Sequence, residues 1–176
     1  MRTKILLILT VILVAAGLCT PALRADQIFF ANLSGAQDVP PTTSTATGFA
    51  TVDLNSLQTM FSVDLSFSGL EGPATAAHIH GPALPGSNSG VLFPFTGVPN
   101  AVAGSIPTQA FTITPTELGY LESGQLYVNV HSTVFPDGEI RGQLEATPEP
   151  ASLLLMGTGL LGLAMLLRRR NLAVRG

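Results

Sequence analysis

Between Asp26 and Thr147 the chain has no cysteine and only one basic residue, Arg141. The first absence rules out disulfides, so a hydrophobic core must hold this stretch together. The second removes any basic patch that could neutralise phosphates, which argues against nucleic acid as a partner. Enzyme signatures are missing as well. Gly86-Ser87-Asn88-Ser89-Gly90 lacks both the serine position and the strand–turn–helix setting of a nucleophile elbow. No phosphate-binding loop and no internal repeat occurs. Ten acidic residues accompany Arg141, but no spacing among them singles out a catalytic pair.

Long apolar runs are confined to the two ends. Residues 5–18 are uncharged and apolar and follow Arg2 and Lys4. A basic start followed by an apolar run describes a signal peptide over residues 1–25, with cleavage expected after Ala25 and Ala22 as the alternative. The run is short for a membrane span of about 20 residues. Cys19 follows Leu18 rather than a small residue, which argues against lipidation. At the other end, residues 151–167 carry no charge, and Arg168, Arg169 and Arg170 follow directly. As a helix that stretch just crosses a hydrocarbon core of about 30 Å. The arginines belong on the cytoplasmic side, in a basic tail over residues 168–176. The chain before the helix then lies outside, as the signal peptide also requires.

Pro148-Glu149-Pro150, in a linker over residues 147–150, stands just before that transmembrane helix. Prolines on both sides of the glutamate make it an extended, exposed connector. The order Pro-Glu-Pro, apolar helix, arginine cluster resembles the PEP-CTERM sorting signal of Gram-negative bacteria. The resemblance implies recognition and cleavage by an exosortase, an inner-membrane processing enzyme. It also implies a final place at the cell surface or in the extracellular matrix, with exopolysaccharide as a candidate partner. A plain C-terminal membrane anchor is the alternative.

The middle of the chain has the period of strands. Phe61, Val63, Leu65 and Phe67 fall on one face, and Met60, Ser62, Asp64 and Ser66 on the other. Leu126, Val128 and Val130 similarly oppose Tyr127, Asn129 and His131. Six further strands are expected, over residues 27–33, 47–54, 75–80, 90–95, 110–114 and 139–144. Residues 81–109 read as a long surface loop around one of them. Only residues 116–121 look helical, with Thr114 as cap, Pro115 at the first position and Gly124 beyond the end. The expected fold is an all-β, antiparallel Greek-key β-sandwich over residues 26–146. Phe61, Val63, Leu65, Leu126, Val128, Val130 and Ile140 are its expected core.

Two segments stand out chemically: Ala76–Gly81 (AAHIHG) and Tyr127–Leu144 (YVNVHSTVFPDGEIRGQL). Together they resemble the CHRD domain, named from the extracellular protein chordin and also found in exported bacterial proteins. The resemblance runs over roughly residues 27–146. It implies an extracellular β-sandwich and defines no activity.

His78 and His80 share one face of a strand, and His131 lies opposite the Leu/Val face of its own. If the two strands are neighbours, three imidazoles converge, a set suited to copper or zinc with a fourth position for water. The pattern is similar to part of the copper site of Cu/Zn superoxide dismutases. There, His-x-His on one strand and a Val-His late in the chain supply ligands. No fourth histidine exists to bridge a second metal, which counts against dismutase activity. The alternative is that the histidines hydrogen-bond Asp137 or carbonyls of the Gly81–Gly86 turn. Glu139 and Arg141, two apart, are expected to enter a cross-strand ion-pair network, with carboxylate or sugar-acid binding by Arg141 as the alternative. Pro136-Asp137-Gly138 reads as a turn and nothing more. Three functions follow in order: a surface structural or binding module without catalysis, a metal-binding protein, and an oxidoreductase using that metal.

Overall fold

A computed structural model describes residues 26–147 and 156–165. The expected signal peptide with its Ala25 cleavage site, the Pro148-Glu149-Pro150 motif and Arg168, Arg169 and Arg170 lie outside the described residues. Residues 156–165, inside the expected 151–167 helix, are helical. Among the described residues no helix is long and apolar enough to cross a membrane.

Nine strands follow one another: β1 (Gln27–Ser34), β2 (Thr47–Leu54), β3 (Met60–Ser68), β4 (Ala74–His80), β5 (Val91–Pro94), β6 (Gly104–Thr112), β7 (Tyr127–Ser132), β8 (Ile140–Gln143) and β9 (Glu145–Ala146). One helix, α1 (Pro115–Glu122), leads from β6 to β7. Its start carries a capping box: Thr114 Oγ1 accepts from the Glu117 amide, and the Glu117 carboxylate accepts from the Thr114 amide. Pro115 takes the first turn, where its missing N–H costs nothing.

The strand order is β5–β4–β7–β8–β1–β2–β3–β6, with every ladder antiparallel. β1, β2, β3 and β6 make one layer; β5, β4, β7 and β8 make the other. The chain crosses between layers after β3, β5 and β6. The layers join at a corner where Ser34 of β1 meets Arg141 of β8. Beyond that corner β9 pairs with Phe29 and Phe30. On the opposite side the free edges β5 and β6 meet through side chains. Thr96 N donates to Gln109 Oε1, and Gln109 Nε2 returns a bond to Thr96 O. The result is a sandwich nearly closed into a barrel.

The core lies between the layers. Phe61, Val63, Leu65, Leu126, Val128, Val130 and Ile140 are all buried, as their alternation requires. Phe61 and Phe93 lock the layers edge to face, with ring centroids 5.0 Å apart. The long loop expected over residues 81–109 is shorter than the sequence suggests, because β6 begins at Gly104. Pro107 lies within this strand. It is tolerated because β6 is an edge strand and its ladder with β3 slips between Val63 and Leu65.

β7 departs from simple alternation. Tyr127 and Asn129, expected on an outward face, are only 2 % and 4 % exposed. Loop segments 35–46 and 81–90 roof that face. The Ser89 amide donates to the Tyr127 hydroxyl, and Gln143 Nε2 donates to Ala83 O at 2.8 Å. The roof turns the outside of a sheet into a second, polar interior.

Phe61→Ala is expected to destabilise the domain by about 3–5 kcal/mol, since the residue is fully enclosed and bridges both layers. Urea denaturation of residues 26–147, which hold the entire core, measures it. A loss below about 1 kcal/mol would contradict the packing described.

Candidate metal centre

β4 and β7 are direct neighbours, and their register sets His78 opposite Asn129 and His80 opposite Tyr127. His131 sits one alternation further along β7, diagonal to His78. The strand period aims all three imidazoles at the roofed face, while Ile79 and Val130 point into the core and are fully buried. One ligating nitrogen from each of His78, His80 and His131 lies within 4.8 Å of the others. The expected convergence is therefore present.

The hydrogen bonds dictate which nitrogens carry lone pairs. His80 Nδ1 is 3.0 Å from Ser89 O, and His131 Nδ1 is 3.0 Å from Pro136 O. A carbonyl only accepts, so both Nδ1 atoms bear the proton and both Nε2 atoms are left with a lone pair. His80 Nε2 is buried and has no partner. His131 Nε2 lies 3.2 Å from His78 Nδ1. Without an ion, His78 Nδ1–H donates to His131 Nε2; with one, both atoms can turn their lone pairs to it. Backbone carbonyls thus hold two rings in the tautomer that metal ligation needs. Neither Asp137 nor the Gly81–Gly86 turn provides these contacts. The carbonyls come from Ser89 and Pro136.

Burial depresses the basicity of two of the rings, His78 and His80. His78 is lowered from 6.5 to about 4, first by burial and then by the neighbouring His131 and His80. His80 is also lowered, chiefly by burial. His78 therefore stays neutral in mildly acid solution, and His80 is shifted in the same direction.

Several residues that sequence reasoning passed over complete the site. Tyr127 stacks on His80, with ring planes 9° apart, and Arg141 lies 3.5 Å over the Tyr127 ring. Asp38, carried in from the roof after β1, is 5 % exposed. Burial raises its carboxyl above the usual range, against the lowering effects of the Val39 amide and the Arg141 charge. Asn129 Nδ2 lies 3.5 Å from Asp38 Oδ1. Gly138 is more than a turn residue. Its φ is +138°, and a methyl group there would lie 2.5 Å from both Asn129 Nδ2 and Asp38 Oδ2. Only glycine lets the 136–138 turn close over this pair.

The cross-strand ion-pair network expected at Glu139 and Arg141 is not seen among the described residues. Arg141 makes no salt bridge among the described residues. Its Nη1 donates to Ser87 O at 2.8 Å and to Asn88 Oδ1 at 3.1 Å, and its Nη2 donates to Gln143 Oε1 at 3.3 Å. It is 1 % exposed. Glu139, fully buried, accepts from Ser44 Oγ and the Glu71 amide instead. The two residues part company because β8 starts only at Ile140, after the left-handed Gly138. The alternation that would align them has not yet begun.

Comparison with known families agrees with this architecture. The CHRD domain matches residues 29–144, and the PEP-CTERM protein-sorting motif matches residues 146–170. The class is a β-sandwich domain joined to a sorting tail, and the chain belongs to the CHRD domain family. The motif marks it as an exported protein recognised by an exosortase-type enzyme. No curated protein and no solved structure matches the chain.

The depressed His78 gives a stability signature. Between pH 6.5 and about 4 the unfolded chain binds a proton at this side chain that the folded chain refuses. Its contribution is complete above pH 6.5 and is lost as pH falls through that window. Asp38, raised from 3.8, acts with the opposite sign in a window that opens upward from 3.8 and so works against the His78 slope. Metal-free protein is expected to lose urea resistance from pH 6.5 downward, and His78→Gln to flatten that slope. Parallel slopes for the two proteins would rule out a buried neutral His78.

Proposed function

We propose that this chain is an exported module of the cell surface or extracellular matrix, with a structural or binding role, released to its site by an exosortase-type enzyme. The observation that carries the reading is the sorting motif at residues 146–170 immediately following a CHRD domain at residues 29–144. In this reading residues 1–25 are a signal peptide and residues 26–146 are the working part. Pro148-Glu149-Pro150 is the recognition segment, and residues 151–167 anchor the precursor in the inner membrane, with Arg168, Arg169 and Arg170 inside. An acidic, disulfide-free sandwich suits a matrix of exopolysaccharide, where its negative charge keeps it soluble. Mass spectrometry of the protein from its native host is expected to find two cuts, near Ala25 and near 148–150. A host without an exosortase should retain the tail. Mature surface protein that still carries Arg168–Arg170 would refute the sorting reading.

A second reading is favoured by the histidine geometry. The domain binds one copper or zinc ion through His78, His80 and His131, as an ion store, as a structural tie or in redox chemistry. Ligating atoms within 4.8 Å of each other need only small rotations to reach imidazole–metal distances of about 2.0–2.1 Å. Metal analysis of the purified protein tests this. One equivalent is expected in the wild type and loss of retention on His→Ala at any one position. Equal retention by the triple His→Ala variant would place the metal elsewhere.

A further inference from the structure

Two buried oxygens beside the histidines have no donor. Asp38 Oδ2 and Asn129 Oδ1 lack any hydrogen-bond partner, on side chains that are 5 % and 4 % exposed. Both flank Gly138: a methyl group there would be 2.5 Å from the first and 2.9 Å from the second, so the two oxygens are close enough for one group to span. The strand register puts Asn129 directly across from His78 and two residues from His131. Asp38 acts electrostatically on both His80 and His131. A buried acceptor left without a donor is destabilising, and two that face each other also repel. Such a pair fits a group offering two donors.

A water bound to a divalent ion is such a group. Three imidazoles leave one position of a tetrahedral ion for it. They also leave the full charge of the ion uncompensated, in a site that already has Arg141 close by. The Asp38 carboxylate does not belong to the set of ligand atoms within 4.8 Å, so it stands outside the direct ligands. Building on the metal reading above, we propose that Asp38 and Asn129 position a metal-bound water at the His78, His80 and His131 site, which leaves the fourth coordination position open and exchangeable. Asp38 accepts one hydrogen of that water and offsets the charge of the ion; Asn129 accepts the other hydrogen. The site is then one where a small ligand can exchange on the metal, as distinct from a closed structural tie.

The full-length chain, purified in detergent and loaded with cobalt(II), tests this. One cobalt per chain is expected, with visible bands that shift when sodium azide displaces the water. Asp38→Asn should still take up one cobalt but hold zinc about 10–100-fold more weakly against a competing chelator, the usual cost of losing an outer-sphere partner. It should also bind azide several-fold more tightly, because no carboxylate holds the water or opposes the anion. A merely structural role for Asp38 would not produce that last effect. Wild-type bands that ignore azide would show a closed site and overturn the proposal, whether or not the variant folds. So would unchanged zinc affinity in Asp38→Asn, the result expected if a proton on Asp38 simply bridges to Asn129. A wild-type chain that takes up no cobalt would sink the metal reading itself, and this proposal with it.

Discussion

A guanidinium buried against a tyrosine ring holds the roofed, histidine-bearing face of this domain together. Arg141 is the sole basic group between Asp26 and Thr147, and it is spent inside. Burying a charge costs several kcal/mol unless other contacts offset it. Here the Ser87 carbonyl and the Asn88 and Gln143 side chains take its N–H groups, and the Tyr127 face takes its charge. These contacts hold loop 81–90 down on the sheet. That loop supplies the Ser89 carbonyl which orients His80. Arg141 is therefore coupled to the histidine cluster through the roof and touches none of its ligating atoms.

Glu139 does the matching work on the other side. Its carboxylate takes Ser44 Oγ at 2.6 Å and the Glu71 amide at 2.8 Å, and its backbone carbonyl takes the Thr42 hydroxyl. Segment 42–46 is thereby fixed over the sheet, downstream of the Asp38 it helps to seat. Arg141 and Glu139 hydrogen-bond neutral groups, most of them in the loops. An ion pair would have tied strand to strand. Single charges tie loops to strands, which is what roofing a sheet requires.

Much of the fold was legible because it rests on short-range rules. The alternation at Phe61, Val63, Leu65 and Phe67 could describe little else but a half-buried strand. Thr114, Pro115 and Glu117 marked the start of the helix through the chemistry of its first amides. The His-x-His spacing put His78 and His80 on one face. β6 was harder to see. Its pattern is broken by a register slip opposite Asp64, and Pro107 is allowed only because nothing pairs on that edge. The burial of Tyr127 and Asn129 was hidden for a different reason: their side of the strand reads as polar and outward, and a roof from distant loops reverses that.

The sequence by itself determined the all-β class, the core residues, the helix cap and the three histidines, because strand period and capping chemistry act over two to four residues. It also determined the sorting tail, whose three parts lie in order along the chain. Only the tertiary structure decided that β4 and β7 are neighbours, that Asp38 and Asn129 join the histidines, and that Arg141 and Glu139 turn away from each other. Asp38 and Asn129 are 91 residues apart. Nothing local distinguishes that aspartate from nine other acids. Its place beside Asn129 comes from the sheet that meets it and from Gly138, whose missing side chain lets the two approach.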